Sequence, residues 1–458
     1  MRNTSADTLS TLLLTNPFLF LNSCGLADSP NVSNQGWYDN VIAVDPKDPN
    51  RVWAGGIDLF RSDDAGRTWG VVSYWWPPTL EIPSAGYTHA DQHAIVFHPQ
   101  YNGTTNQTLF VGGDGGIFRT GNARAAKAIG LGVCDPTASR VVWAPRNEGY
   151  EVTQFYHGSV APDGGFFLGG TQDNGTHFGE NVPGFILWTR ILPGDGGYTA
   201  VDPTDPLVLY GENTGLSIQK SVDGGTTFSP AIDGIEDAHF LFIAPFHQDS
   251  SDSNVLFSGG FFVWRTQDGA ATWTKASDFV AGGSDSVVSA LATAPSNPNR
   301  ALAGLSRGYI HRTDEALFSD GETEWPVVRP RDGFVSSLAF DPFDDEIAYA
   351  TYSTVGNGKV WRTTNGGATW SRIDGTGSNA IPDIPVHSIV VDPDDPTVLF
   401  IGTDLGVFVS FNGGQAWLSA NVGLPNVVTE HLAIQVGPGS EKALYAFTHG
   451  RGAWKVAL

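Results

Sequence analysis

Short apolar runs interrupted by Asp-Pro pairs recur along the whole chain. The fullest copies are Ala43-Val44-Asp45-Pro46, Ala200-Val201-Asp202-Pro203 and Val390-Val391-Asp392-Pro393. Each is followed by a second pair (Asp48-Pro49, Asp205-Pro206, Asp395-Pro396) and then by another apolar run. The turn prolyl repeats at Pro46, Pro99, Pro162, Pro203, Pro245, Pro295, Pro342, Pro393 and Pro438, at intervals of 41 to 63 residues. Proline fixes φ and aspartate caps its own turn, so each copy predicts a hairpin between two buried strands. The second strand usually ends in glycine, as at Ala54-Gly55, Gly112-Gly113 and Ile401-Gly402.

A second marker falls later in the unit. Ser62 to Trp69 reads S-D-D-A-G-R-T-W and Ser221 to Phe228 reads S-V-D-G-G-T-T-F, with looser copies starting at Thr266, Thr363 and Ser410. In this pattern the hydroxyl and the Asp or Asn oxygen satisfy turn amides, glycine takes positive φ, and the final aromatic ring plugs between sheets. Asp64, Asp223, Asp268, Asn365 and Asn412 are therefore read as structural. A period of 40 to 50 residues carrying four strands describes a propeller blade.

Composition agrees with this reading. The 458 residues include 56 Gly, 28 Pro, 14 Trp and 27 Phe, a mixture that breaks helices and suits pleated strands. Only Ala123 to Gly132 has any helical character, as a short loop helix.

The repeats resemble the Asp-box, or BNR, repeats of sialidases, xyloglucanases and sortilin-type ectodomains, over almost the whole chain from Gly36 onward. Several segments resemble exported bacterial sortilin-like proteins, which often carry a glycosyl-hydrolase-like label. They are Gln35-Gly36-Trp37-Tyr38, His89-Ala90-Asp91-Gln92-His93, Gly170-Thr171-Gln172-Asp173-Asn174-Gly175, Gly194-Asp195-Gly196-Gly197-Tyr198 and the ending Leu444 to Trp454. The resemblance implies an all-β, single β-propeller of four-stranded antiparallel blades. It identifies a fold and not a reaction.

Eight units read as complete, at 37–76, 89–150, 151–194, 195–238, 239–281, 286–334, 335–384 and 385–428, and a ninth, 429–458, holds three strands. The expected organisation is an N-terminal strand and loop at 1–36 and an Asp-box propeller at 37–458. About nine blades result if the apolar run Leu12 to Leu21 closes the last one; the alternatives are eight blades or part of a longer multi-propeller protein. Arg2, that apolar run and Asn22-Ser23-Cys24 also loosely imitate a lipoprotein signal, but Asn16 and Pro17 interrupt it. No segment is long enough for a membrane span.

The formal charge of −23 and the lack of any basic run argue against nucleic acid as a partner. An acidic surface suits a secreted or cell-surface protein and offers carboxylates for Ca²⁺. Cys24 and Cys134 allow one disulfide that the sequence does not itself imply.

Candidate chemistry gathers in the loops between blades and in the hairpins between second and third strands. Six of the 11 histidines are expected at one channel mouth. The ligand-binding candidates are Trp75, Trp76, His89, Asp91, His93, Gln172, Asp173, Asn174, Asp195 and Tyr198. Trp75 and Trp76, followed by two prolines, suit stacking on sugar rings. Strand alternation would put His89, Asp91 and His93 on one side, as metal ligands or as hydrogen-bond partners of neighbouring blades. The turns around Asp114 and Asp195 are Ca²⁺ candidates or self-capped turns. Glu430, His431, His387, Glu212, Asp404 and His449 fall in the same loops and hairpins.

The expected function is recognition of a glycan or a peptide or protein ligand at this mouth. The alternative is a glycoside hydrolase, which needs two carboxylates about 5 to 9.5 Å apart. Asp91, Glu151, Asp173 and Asp195 are its candidates. Sialidase activity is disfavoured, because the early Arg-Ile-Pro signature of that family is missing.

Overall fold

The computed structural model describes residues 37–75, 86–181, 188–280, 286–356, 358–437, 439 and 441–458. These form nine antiparallel sheets, eight of four strands and the last of three, each built from consecutive strands. The sheets span 41–71, 92–145, 155–192, 199–230, 246–275, 288–328, 335–372, 386–419 and 429–457. Nine blade-like sheets match the count read from the repeats, and the three-stranded last sheet falls where it was expected. The segment Leu12 to Leu21, expected to close that sheet, lies outside the described residues.

The chain divides into two compact units, residues 1–150 and 151–458. The first holds two sheets, packed through Trp53, Leu59, Leu109, Val111, Phe118 and Trp143. The second holds seven. Within it each consecutive pair of sheets buries its own apolar cluster. A further cluster joins the ninth sheet back to the third, with Phe155 and Phe167 against Ala443, Tyr445 and Phe447. Residues 151–458 therefore close on themselves as a ring of seven.

The closing seam depends on two missing side chains. The Phe447 ring, itself fully buried, occupies the space where a Cβ on Gly158 would lie 2.1 Å from it. Likewise Phe155 covers Gly169, whose Cβ would lie 2.2 Å from that ring. Their centroids are 5.6 Å apart in a T-shaped contact. Edge-to-face aromatic pairs of this kind add to the burial of the rings themselves.

The two sequence markers fold as local physics dictates. In the Asp-Pro hairpins Asp202, Asp341 and Asp392 each accept two turn amides on Oδ1. In the second turn, Ser221 donates to Asp223 (2.8 Å) and accepts the Gly225 amide (2.9 Å), while Asp223 takes the Thr227 amide and hydroxyl. The turns at Ser62, Thr266, Thr363 and Ser410 repeat the hydroxyl-to-Asp or -Asn bond and the amide bond back to the hydroxyl. The Thr227 hydroxyl and amide hold the Asp223 carboxyl down at about 2. Trp273 and Trp417 extend from such turns and donate their indole N–H to Ala231 and Ile373, the residues directly after the preceding sheet. Trp325 does the same to Ala276 without a matching turn motif.

One irregularity recurs at the start of the innermost strand. The register slips by one residue between Val288 and Ala290, Val335 and Ser337, Val386 and Ser388, and Thr429 and His431. In the third sheet Phe155 and His157 pair with successive residues, Thr171 and Gly170. Ser289, Ser336, His387, Glu430 and Tyr156 are thus the extra residues of β-bulges, and His93 holds the same place in the second sheet. A bulge re-aims its side chain.

Two stability experiments follow. Gly158→Ala should cost about 1–3 kcal/mol by overpacking the seam, read as a lower midpoint in urea; an unchanged midpoint would show that the seam tolerates a methyl group. Ser221→Ala removes a buried cap from one turn and should cost about 1 kcal/mol with ligand binding intact. Loss of binding at an unchanged midpoint would contradict a purely structural role.

Candidate functional site

In residues 151–458 the bulged side chains line one rim of the ring. Ser289 and Ser336 donate to the carbonyls of Val335 and Val386 in the next sheet, at 2.7 and 2.6 Å. The longer side chains at the equivalent positions meet each other instead. His387 Nε2 lies 2.8 Å from Asp404 Oδ1, and its Nδ1 lies 3.5 Å from Glu430 Oε2. Glu430 Oε1 lies 3.4 Å from His449 Nδ1, and the His449 ring faces Tyr156 at 6.4 Å. Burial raises the Tyr156 phenol to about 12, with the charges of Asp195, Asp173 and Glu430 adding to the shift. The charges of two loop carboxylates, Asp173 and Asp195, and of the bulged Glu430 are thus felt at one phenol.

The Asp173 and Asp195 loops are locked together. Asp173 has φ +59°, and its amide donates to Asp195 Oδ1 at 2.9 Å. Gly196 and Gly197 run flat across Gly170, where a Cβ would stand 1.9 Å from the Gly197 carbonyl. Gln172 and Asn174 are tied into the same hairpin: the Gln172 amide donates to Gln154 O, and Asn174 Nδ2 donates to Gln172 O. Asp195 thus caps a backbone amide of the neighbouring hairpin rather than of its own turn, and its charge reaches Tyr156.

Beneath the rim the innermost strands surround a cavity of about 480 Å³ lined by His157, Ser159, Thr199, His247, Gln248 and His431 among others. His157 and His431 meet in its wall at a centroid separation of 3.7 Å, and Tyr198 stacks on His157 at 4.4 Å. Desolvation holds His157 well below its usual pKa, with repulsion from His431 adding, and brings His431 to about 4. The Thr199 amide donates to His157 Nδ1 at 3.3 Å. Glu212, fully buried, supports this stack by accepting the Tyr198 amide at 3.1 Å, and burial raises its carboxyl well above the usual range. The cavity wall is consequently polar but uncharged near neutral pH.

Residues 37–150 hold a separate group. Asp58 sits in the hairpin between Val52–Gly55 and Leu59–Ser62. Burial pushes its carboxyl up to about 7; the Trp75 amide, donating at 2.9 Å, opposes the shift and the Asp91 charge adds to it. Asp91 has φ +62°, and its amide donates to Ile57 O in the same hairpin. Asp114 Oδ1 lies 2.7 Å from His93 Nε2, and Asp114 Oδ2 accepts the Tyr38 hydroxyl at 2.9 Å.

The candidate residues thus separate. Asp173, Asp195 and Tyr198 belong to the rim and stack of residues 151–458, with Gln172 and Asn174 in the supporting hairpin. Glu151 is exposed beside Gly452. Asp91 and His93 belong to the group in residues 37–150, where His89 Nδ1 lies 3.1 Å from Ala90 O; Trp75 joins it only through its backbone amide and packs its ring against the cluster of Val71, Tyr74 and Ala128. Trp76 lies outside the described residues, as does Cys24.

The expected alternation of His89, Asp91 and His93 is corrected. The strand begins at Gln92 and the backbone turns left-handed at Asp91, so the three do not share a strand face. Among the described residues no group of three or more His, Cys, Asp or Glu side chains converges as a metal site. Asp58, Tyr156 and His157 were missed. No sequence signal marks Tyr156 or His157, because the slip at Tyr156 arises from strand pairing and the contact of His157 with His431 from long-range packing.

No family model matches the chain. A xyloglucanase from Hypocrea jecorina (strain QM6a) is 23% identical over 299 residues, covering 61% of this chain and 32% of that protein. The chain thus spans about a third of the length of that relative. The crystal structure of a GH74 xyloglucanase from Xanthomonas campestris superposes with a TM-score of 0.52 at 18% identity, covering 91% of this chain and 58% of its own. A GH74 enzyme from Niastella koreensis gives 0.38 at 14% identity, covering 91% and 74%. At these identities the likeness to the Xanthomonas structure is one of fold, and the fold is the β-propeller. Among the described residues no helix is long and apolar enough to cross a membrane.

The buried imidazoles make stability depend on pH. His157 and His431 titrate lower in the folded ring than in the unfolded chain, so below about pH 6.5 the unfolded state takes up protons that the folded state refuses. Stability should be full above pH 6.5 and fall as the pH drops towards 4. Melting at pH 7.5 and pH 5 checks this, and His431→Asn should flatten the dependence. Equal melting temperatures for the parent at both values would refute it.

Proposed function

We propose that the rim of residues 151–458 recognises a neutral glycan, in a secreted or cell-surface propeller whose repeated turns are Asp-boxes of the sialidase, xyloglucanase and sortilin type. The observation that carries this reading is the chain of contacts His387–Glu430–His449–Tyr156 along the rim, with the linked Asp173 and Asp195 loops adding their charges at Tyr156. Carboxylates accept hydrogen bonds from sugar hydroxyls, while an imidazole and a phenol can both give and accept them. The rim sits on rigid strands, which spares a ligand much of the cost of ordering its site. The Hypocrea relative and the Xanthomonas fold neighbour, both named xyloglucanases, support a glucan as the ligand class.

Calorimetric titration of the full chain with a xyloglucan heptasaccharide and with cellotetraose tests this. Binding of either, weakened at least about tenfold, or roughly 1.4 kcal/mol, by combined Asp173→Asn and Glu430→Gln, is the expected result. Absence of binding by the parent, or binding indifferent to both substitutions, overturns the reading and favours the peptide or protein ligand of the sortilin resemblance.

A second reading is glycoside hydrolysis, favoured by Asp58 and Asp91, which the bond from the Asp91 amide to Ile57 O (3.2 Å) brings to one hairpin. A glycosidase needs one carboxyl protonated as acid and another ionised as base or nucleophile. Asp58, held up to about 7 close to Asp91, suits the acid. Release of reducing ends from xyloglucan should then fall as the pH rises through about 7, because Asp58 loses its proton, and Asp58→Asn should abolish it. Turnover that survives Asp58→Asn would exclude this pair.

A further inference from the structure

Trp37 is 82% exposed, although an indole usually buries most of its large apolar surface. It stands beside Tyr38, at a centroid distance of 5.7 Å, and Tyr38 meets the His93 ring edge-on at 4.9 Å. A single carboxylate fixes two of these rings: Tyr38 donates its hydroxyl to Asp114 Oδ2 at 2.9 Å, and His93 Nε2 lies 2.7 Å from Asp114 Oδ1. Asp114 is itself placed by the hairpin between Leu109–Gly113 and Gly116–Thr120, where its amide donates to Asp91 O at 3.3 Å. His93 is a bulged residue, turned out of the regular alternation of Gln92–Phe97. None of these rings belongs to the apolar cluster that joins the two sheets of this unit.

We propose that Trp37, Tyr38, His93 and Asp114 form a pyranose-binding subsite. The Trp37 ring stacks on the apolar face of a sugar, and His93 and Asp114 hydrogen-bond its hydroxyls. This inference rests on the glycan reading above and extends it to residues 37–150. The chemistry fits a neutral sugar because a pyranose has an apolar face and an equatorial rim of hydroxyls. The group likewise offers one exposed apolar ring beside a carboxylate and an imidazole. Tyr38 and His93 are already tied to Asp114, so little side-chain freedom remains to be lost on binding. The exposed Trp37 surface gains most from being covered.

The full chain, labelled with 5-fluorotryptophan, provides a test that reads this subsite directly. The Trp37 resonance is assigned by its disappearance in Trp37→Phe. It should shift when xyloglucan heptasaccharide or cellotetraose is added, in the parent and in the Asp173→Asn, Glu430→Gln variant alike. Trp37→Ala should leave the melting temperature unchanged and, in that variant, reduce the remaining calorimetric affinity about tenfold. A Trp37 resonance that stays in place while calorimetry records binding overturns the subsite and leaves the rim reading standing. No calorimetric binding of either oligosaccharide by the parent overturns both.

Discussion

The seam between the third and ninth sheets is the contact on which the seven-sheet ring depends. A sheet that presents apolar side chains on both faces needs a neighbour on each side. Six of the seven interfaces in residues 151–458 join sheets that follow one another in the chain. The seventh brings Phe447 onto Gly158 and against Phe155, across nearly the whole length of the unit. The rim inherits this dependence. Tyr156 stands on the third sheet and Glu430 and His449 on the ninth, so they meet only because the ring closes there.

The bulges convert this scaffold into a site. Without the extra residue, regular alternation would dictate which way these side chains face. With it, one residue of each bulged inner strand leaves the ladder. What that residue does then depends on its length. Serine at 289 or 336 reaches only the backbone of the next sheet and ties two sheets together. Histidine, glutamate and tyrosine at 387, 430 and 156 reach past the backbone and interact with one another's side chains.

Charge is distributed unevenly between structure and rim. Several cations of this acidic chain are engaged in structural pairs: Arg124 with Asp45, Lys442 with Asp392, and Arg300 with Asp314 and Glu346. The rim carboxylates Glu430 and Asp404 instead face histidines, which are not permanently charged. The cavity below holds its imidazoles neutral. A surface of this kind suits hydroxyl groups better than anions.

The sequence by itself determined everything that is local. The Asp-Pro hairpins, the Ser-Asp turns, the nine strand groups and the three-stranded ending were legible because each rests on interactions within a few residues, such as Ser221 with Asp223 and Gly225. It also placed Asp173, Asp195, Glu430, His387, Asp404 and His449 in the loops and hairpins of one face, since strand order alone sets which end of a blade a hairpin occupies. Only the tertiary structure decided which of these residues meet. Register slips by a single residue, as at Glu430 between Thr429 and His431, are invisible in a pattern that tolerates either alternation. Closure of residues 151–458 as a ring of seven depends on how Phe447 fits over Gly158, a long-range packing event with no local signature. The raised carboxyl of Asp58 likewise comes from burial and from Asp91, a neighbour 33 positions along the chain that the fold alone brings near.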